Sequence, residues 1–139
     1  MEAPTIAKFQ FINFKIIKSY FEMGINQEEY TFSLDFSPKG IINKDKTSFE
    51  LELNVIINEE NNNFKAEITA VGTYTFDSEI DVDTLDKYFY VNAPALMFPY
   101  IRAYISALTT LSGLKSINMP TLNLTQIGPE LKKNTVVKE

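Results

Sequence analysis

Two missing residue types bound the chemistry open to this chain. Its 139 residues contain no cysteine and no histidine. A Ser-His-Asp triad, a Cys-His pair, a zinc site of thiolates and imidazoles, and a His-ligated haem are therefore excluded, and so are disulfides. Carboxylates, amines, phenols and hydroxyls remain. Two groupings of carboxylates stand out, Glu50 with Glu52 and Asp81, Asp83 with Asp86. Glu50 and Glu52 alternate with Phe49, Leu51 and Leu53, which is the pattern of a solvated strand face rather than of an acid/base pair converging on a pocket. Three aspartates close in sequence suit a hard cation, yet the sixth-position glycine and the closing glutamate of a calcium loop are missing. Capping of a helix that opens at Ile80-Asp81-Val82-Asp83 accounts for them more simply, because carboxylates favour the positive end of a helix dipole. No glycine-rich loop is present to cradle phosphates. The expectation is a protein with no catalytic residues, no metal and no cofactor, whose work is binding.

Charge narrows the class of partner. The formal net charge is -5, with 13 Lys and Arg scattered along the chain. Nucleic-acid binding needs a clustered basic surface, so DNA and RNA are not expected partners. No N-terminal stretch combines a basic region, an apolar run and a small-residue cleavage site, and a cytoplasmic location is expected. The sequon Asn123-Leu124-Thr125 reads as an unmodified loop on the same ground.

The elements that must position any binding surface follow from periodicity. Phe9 to Met23 is rich in aromatic and β-branched residues but breaks strict alternation, which predicts a strand with a bulge or bend near Asn13 to Ile17. Tyr30, Phe32, Leu34 and Phe36 alternate with Thr31, Ser33 and Asp35, giving a strand with one apolar face that Pro38-Lys39-Gly40 should end. Phe49 to Val55 and Phe64 to Phe76 supply two more, joined by a polar turn over Glu59 to Asn63. A four-stranded antiparallel sheet followed by helices, an α+β chain of one domain, is the simplest assembly. It divides into a sheet over 9–77, a helical part over 81–113 and a C-terminal connection and tail over 114–139.

The second helix, opened by Asn92-Ala93-Pro94 and running to Gly113, carries two apolar rows. Leu96, Tyr100, Tyr104, Ala107 and Leu111 form one, and Met97, Ile101, Ile105 and Leu108 the other. Together they exceed the stripe that a single packed surface requires. A membrane span is disfavoured because Pro99, Arg102 and four Ser/Thr residues interrupt the stretch. With the sheet covering one row, a second subunit is expected on the other, with Ile101, Ile105 and Leu108 as the interface.

Phe98, Pro99, Tyr100 and Arg102, within Asn92 to Arg102, resemble the signature at the start of the long helix in the SecB family of export chaperones. Pro120-Thr121-Leu122-Asn123-Leu124 is similar to the family's Pro-x-Leu-Asn-Leu connection after that helix. The resemblance spans roughly Phe9 to Leu131 as architecture and is dense in residues from about Asn92 to Leu124. It implies a homotetramer, built as a dimer of dimers with the long helix packed on one face of each sheet. It also implies unfolded polypeptide clients held in apolar grooves without ATP, in protein export. By family position, Tyr30, Phe32, Leu34, Phe36, Phe98, Tyr100 and Tyr104 would line the groove. Glu22 and Glu67 fall where the family contacts the SecA motor. Lys18 and Lys65 depart from that acidic pattern and the tail after Leu124 is short, so docking on SecA is doubtful. Two other readings remain open: a SecB-like chaperone dedicated to one client, such as an antitoxin, and a module that binds a small apolar ligand in a closed cavity.

Overall fold

The structure, a computed structural model, describes residues 9–24, 32–45, 47–59, 64–113 and 124–138. Strands β1 (Phe9–Met23), β2 (Phe32–Asn43), β3 (Ser48–Glu59) and β4 (Phe64–Phe76) are followed by helix α1 (Val82–Lys87), a π-helical turn (Tyr88–Asn92) and helix α2 (Ala93–Leu111). A 3-10 turn (Leu124–Ile127), helix α3 (Gly128–Lys133) and strand β5 (Thr135–Lys138) complete the chain.

The sheet has five strands in the order β1-β4-β3-β2-β5, not the four expected. β1 to β4 pair antiparallel as anticipated, whereas β5 runs parallel to β2 along Gly40 to Asn43. Its four residues alternate too briefly to be read as a strand from sequence. β2 also continues through Pro38, which was expected to end it. The reason lies in which side of the strand each backbone group faces. The Gly40 N–H donates to the Asn134 carbonyl across the outer edge at 3.3 Å, so Pro38, two residues earlier, faces the same edge. Its missing N–H falls where the ladder to β3 needs no donor.

β1 slips register twice, between Phe11 and Asn13 and between Ile16 and Lys18. Ile12 and Ile17 are the extra residues, both exposed. Each bulge resets the alternation, and Phe9, Phe11, Phe14, Ile16 and Phe21 thereby stay on the covered face of the sheet. That face is the core. Phe49, Leu51, Leu53, Val55 and Ile57 of β3 meet Ala66, Ile68, Ala70 and Tyr74 of β4, and α2 adds Met97, Ile101 and Ile105. Each of the larger side chains contributes about 1.5–3 kcal/mol on burial.

The helical part begins at the expected cap. Asp81 accepts the Thr84 N–H at 2.7 Å, and the Thr84 side chain and backbone hold the Asp81 carboxyl below its usual range. Asn92, by contrast, has helical backbone angles and makes no side-chain cap, because α1, the π-helical turn and α2 succeed one another directly. Pro94 lacks the N–H that would bond back to the Tyr90 carbonyl, and the wider turn precedes it immediately.

Tyr74 ties the start of α2 to the sheet. Its hydroxyl donates to the Ala93 carbonyl at 2.7 Å inside the core, and burial pushes its pKa up. Tyr74→Phe removes that donor and leaves the ring, so unfolding in urea should show a loss of about 1–2 kcal/mol with little change in slope.

Candidate functional site

Helix α2 presents different chemistry on each side. Met97, Ile101 and Ile105 are at 0% exposure against the chain's own sheet. Phe98, at 4%, faces β2, with its ring centroid 5.9 Å from that of Phe36. Tyr100 and Tyr104 turn instead toward β1. Tyr100 lies on Phe11 and Phe14 at 5.2 and 5.4 Å between centroids, and the Tyr104 hydroxyl donates to Ser19 Oγ at 2.8 Å. Outward stand Leu96, Tyr100 and Leu111, at 44%, 51% and 87% exposure.

Two expectations change as a result. Ile101 and Ile105 belong to the core of one chain and cannot face another subunit, while Leu108 is half-buried. The row open to a partner is the other one, Leu96, Tyr100 and Leu111. Helical periodicity separates the two rows but cannot tell which of them the sheet covers. The groove residues also divide. Phe32, Leu34 and Phe36 lie half-buried on the covered side of β2, with Phe98 closing over Phe36 as part of the core, whereas Tyr100 and Tyr104 lie over β1. Tyr30 falls outside the described residues. Phe21 and Phe64, not among the sequence candidates, extend the β2 row across the end of the sheet, at 5.2 Å from each other and with Phe64 at 5.6 Å from Phe32. Their alternation was legible, but the pairing that brings β1, β4 and this end of β2 together was not.

The opposite face of the sheet is polar. Lys18 Nζ and Glu67 Oε2 form an ion pair at 3.1 Å, and the Asn54 amide donates to Glu67 at 3.3 Å and to Thr69 at 2.8 Å. Lys18, then Asn54, holds the Glu67 carboxyl below its usual range. That support is present above the unfolded pKa and fades as pH falls. Glu22 accepts the Tyr20 hydroxyl and stands opposite Lys65 in the β1–β4 register. Glu22 and Glu67 thus share one face, each beside a lysine.

Clefts open at the surface among the described residues. One of about 260 Å³ is lined by Phe9, Tyr88, Asn92, Ala95 and Leu96, and one of about 320 Å³ by Lys39, Gly40, Ile41, Glu50, Glu52, Asn134 and Val136. Among the described residues there is no group of three or more acidic side chains placed to hold a metal, and no helix is long and apolar enough to cross a membrane.

With this geometry in place, comparison with known proteins assigns the family. The model of the preprotein translocase subunit SecB matches residues 14–132, and the chain belongs to the SecB family. A SecB-like chaperone of Mycobacterium tuberculosis, solved with a ChAD peptide from the HigA1 antitoxin, superposes with a TM-score of 0.70 at 15% identity, covering 83% of this chain and 88% of that one. A protein of unknown function from Streptococcus agalactiae gives a TM-score of 0.50 at 5% identity, over 84% of this chain and 100% of its own. No curated protein matches in sequence.

The two sides of α2 make opposite predictions for a buried charge. Ile105→Glu should cost the subunit several kcal/mol or abolish folding, since a carboxylate placed there finds neither water nor a partner. Tyr100→Glu should leave the circular dichroism spectrum of the folded chain unchanged.

Proposed function

We propose that this chain is an ATP-independent holdase that keeps unfolded polypeptides from aggregating, in the manner of a cytoplasmic SecB-type chaperone, without catalysing covalent chemistry. The observation that supports it is the apolar surface that one copy leaves uncovered. Leu96, Tyr100 and Leu111 stand outward on α2, and the Phe32, Leu34 and Phe36 row is covered only in part. An exposed apolar row on a helix calls for a partner. A homotetramer, as a dimer of dimers, covers the α2 row with other copies and leaves the β2 row for clients. Each buried client side chain of Leu or Phe size contributes about 1.5–3 kcal/mol, so affinity builds from several weak contacts and releases readily. Glu22 and Glu67 are a weak platform for the SecA motor, because Lys18 and Lys65 lower the negative potential that a basic partner would seek.

A second reading, a chaperone dedicated to one client, is favoured by the structural likeness to a SecB-like chaperone carrying an antitoxin peptide. The two differ in client range rather than in the surface used.

The test is light scattering of a denatured client diluted into buffer without nucleotide. Wild type should suppress the signal, and Phe32→Asp with Leu34→Asp should suppress it less while retaining the wild-type spectrum and solution mass. Protection no better than that of an unrelated acidic protein would refute the holdase. Protection confined to a single client among several would support the dedicated reading. In size-exclusion chromatography with light scattering, wild type should run as a tetramer and Tyr100→Glu as a smaller species. A submicromolar, salt-sensitive complex with purified SecA would overturn the weak docking argued from the two lysines.

A further inference from the structure

A carboxylate interrupts the apolar side of the sheet. Along β3 the covered positions run Phe49, Leu51, Leu53, Val55, Ile57 and then Glu59, which is only 3% exposed. Glu59 stands opposite Phe32 of β2 and, one step beyond the pairing of Asn58 with Lys65, beside Phe64 of β4. Among the described residues of β1 to β4, it is the one charged residue that the strand alternation places on this face.

Two phenylalanines close over it. β2 and β4 flank β3, so the backbones of Phe32 and Phe64 are about 10 Å apart, two strand spacings. Their ring centroids are nevertheless 5.6 Å apart, with the rings at 81° to each other. The rings therefore lean toward one another across β3, over the position of Glu59. Phe21 packs edge-on against Phe64 at 5.2 Å and supports it from the β1 side. Phe64 is buried, whereas Phe32 and Phe21 are half-buried, so the cover is thinnest at Phe32.

An apolar enclosure strengthens the attraction between a carboxylate and a cation, and ring faces attract the same cation. Arginine answers to both, because its guanidinium is flat, weakly hydrated, stacks on rings and donates two parallel hydrogen bonds to a carboxylate. We propose that Glu59, beneath Phe32 and Phe64, is the receptor for a single arginine side chain of a bound polypeptide, which parts the two rings and seats its guanidinium on the carboxylate. This rests on the holdase reading and adds the residue that selects among client side chains. Charge decides the occupant: a Leu- or Phe-sized anchor gains nothing from the carboxylate, and an acidic one is repelled.

Two end-labelled peptides of alternating valine and threonine, differing only in a central arginine or citrulline, test this. Citrulline keeps the shape of arginine and replaces the cation with a neutral urea. Wild type should bind the arginine peptide about tenfold or more tightly than the citrulline peptide. Glu59→Gln should lower affinity for the arginine peptide to that for the citrulline peptide and leave the latter unchanged. Asp35→Asn, which removes an exposed carboxylate on the other face of β2, should keep the full preference. In wild type, the ring proton resonances of Phe32 and Phe64 should shift with the arginine peptide and not with the citrulline one, a readout that stands even if Glu59→Gln fails to fold. A preference that survives Glu59→Gln, a preference lost in Asp35→Asn, or unshifted rings would overturn the proposal. Equal binding, or no binding, by a wild type that still suppresses aggregation would also overturn it and leave the holdase intact. Failure both to bind either peptide and to suppress aggregation would remove the holdase reading, and this inference with it.

Discussion

The close approach of α2 to β4 is the constraint on which the rest of the structure depends. At Gly72 a β-carbon would lie 3.0 Å from Met97 Sδ and 3.1 Å from the Tyr74 hydroxyl, so any larger residue would have to push those side chains back by a few tenths of an ångström. The same Tyr74 hydroxyl holds the Ala93 carbonyl. With its first turn held there, α2 turns Met97, Ile101 and Ile105 into the sheet, lays half-exposed Tyr100 over Phe11 and Phe14, and leaves Leu96 and Leu111 outward. The exposed apolar row is thus a geometric consequence of the contact that builds the core. A helix apolar on two sides and seated this closely on one of them leaves the other uncovered by its own sheet.

The C-terminal segment depends on a similar contact. A β-carbon on Gly128 would meet the Tyr90 carbonyl at 2.9 Å, which lets α3 rest on the π-helical turn before α2. Leu131 is buried beneath it, and Lys132 pairs with Asp86 at 3.3 Å while lying over the Tyr90 ring. α3 in turn delivers β5 to the β2 edge, where Asn134 donates to the Pro38 carbonyl. One end of that edge is therefore blunted by the chain itself, a common protection against unwanted pairing. Exposed Val136 and Val137 show that β5 is held by its backbone more than by its side chains.

Aromatic rings line the covered side of the sheet: Phe21, Phe64 and Phe32 at its end, Phe36 with Phe98 under α2, and half-exposed Tyr100 over Phe11 and Phe14. Such rings offer large contact areas in a few orientations and tolerate many partners. On the polar face Lys18 and Asn54 both bond to Glu67.

The sequence by itself determined the first four strands, the irregularity of β1, the Asp81 cap, the two rows of α2 and the family signature at Phe98 to Arg102. Each of these is a local matter of alternation, spacing or capping chemistry. It did not determine which row of α2 the sheet would cover, and Ile101, Ile105 and Leu108, expected at a subunit contact, lie in or against the core. Two rows about 100° apart are equivalent until something is placed beside them. Nor did it reveal that β2 passes through Pro38, since proline ends a strand only where its missing N–H faces a neighbour. β5 was hidden for the same reason. Four residues carry too little periodicity to identify a strand, and only the β2 edge, brought within reach by α3 on Gly128, made them one.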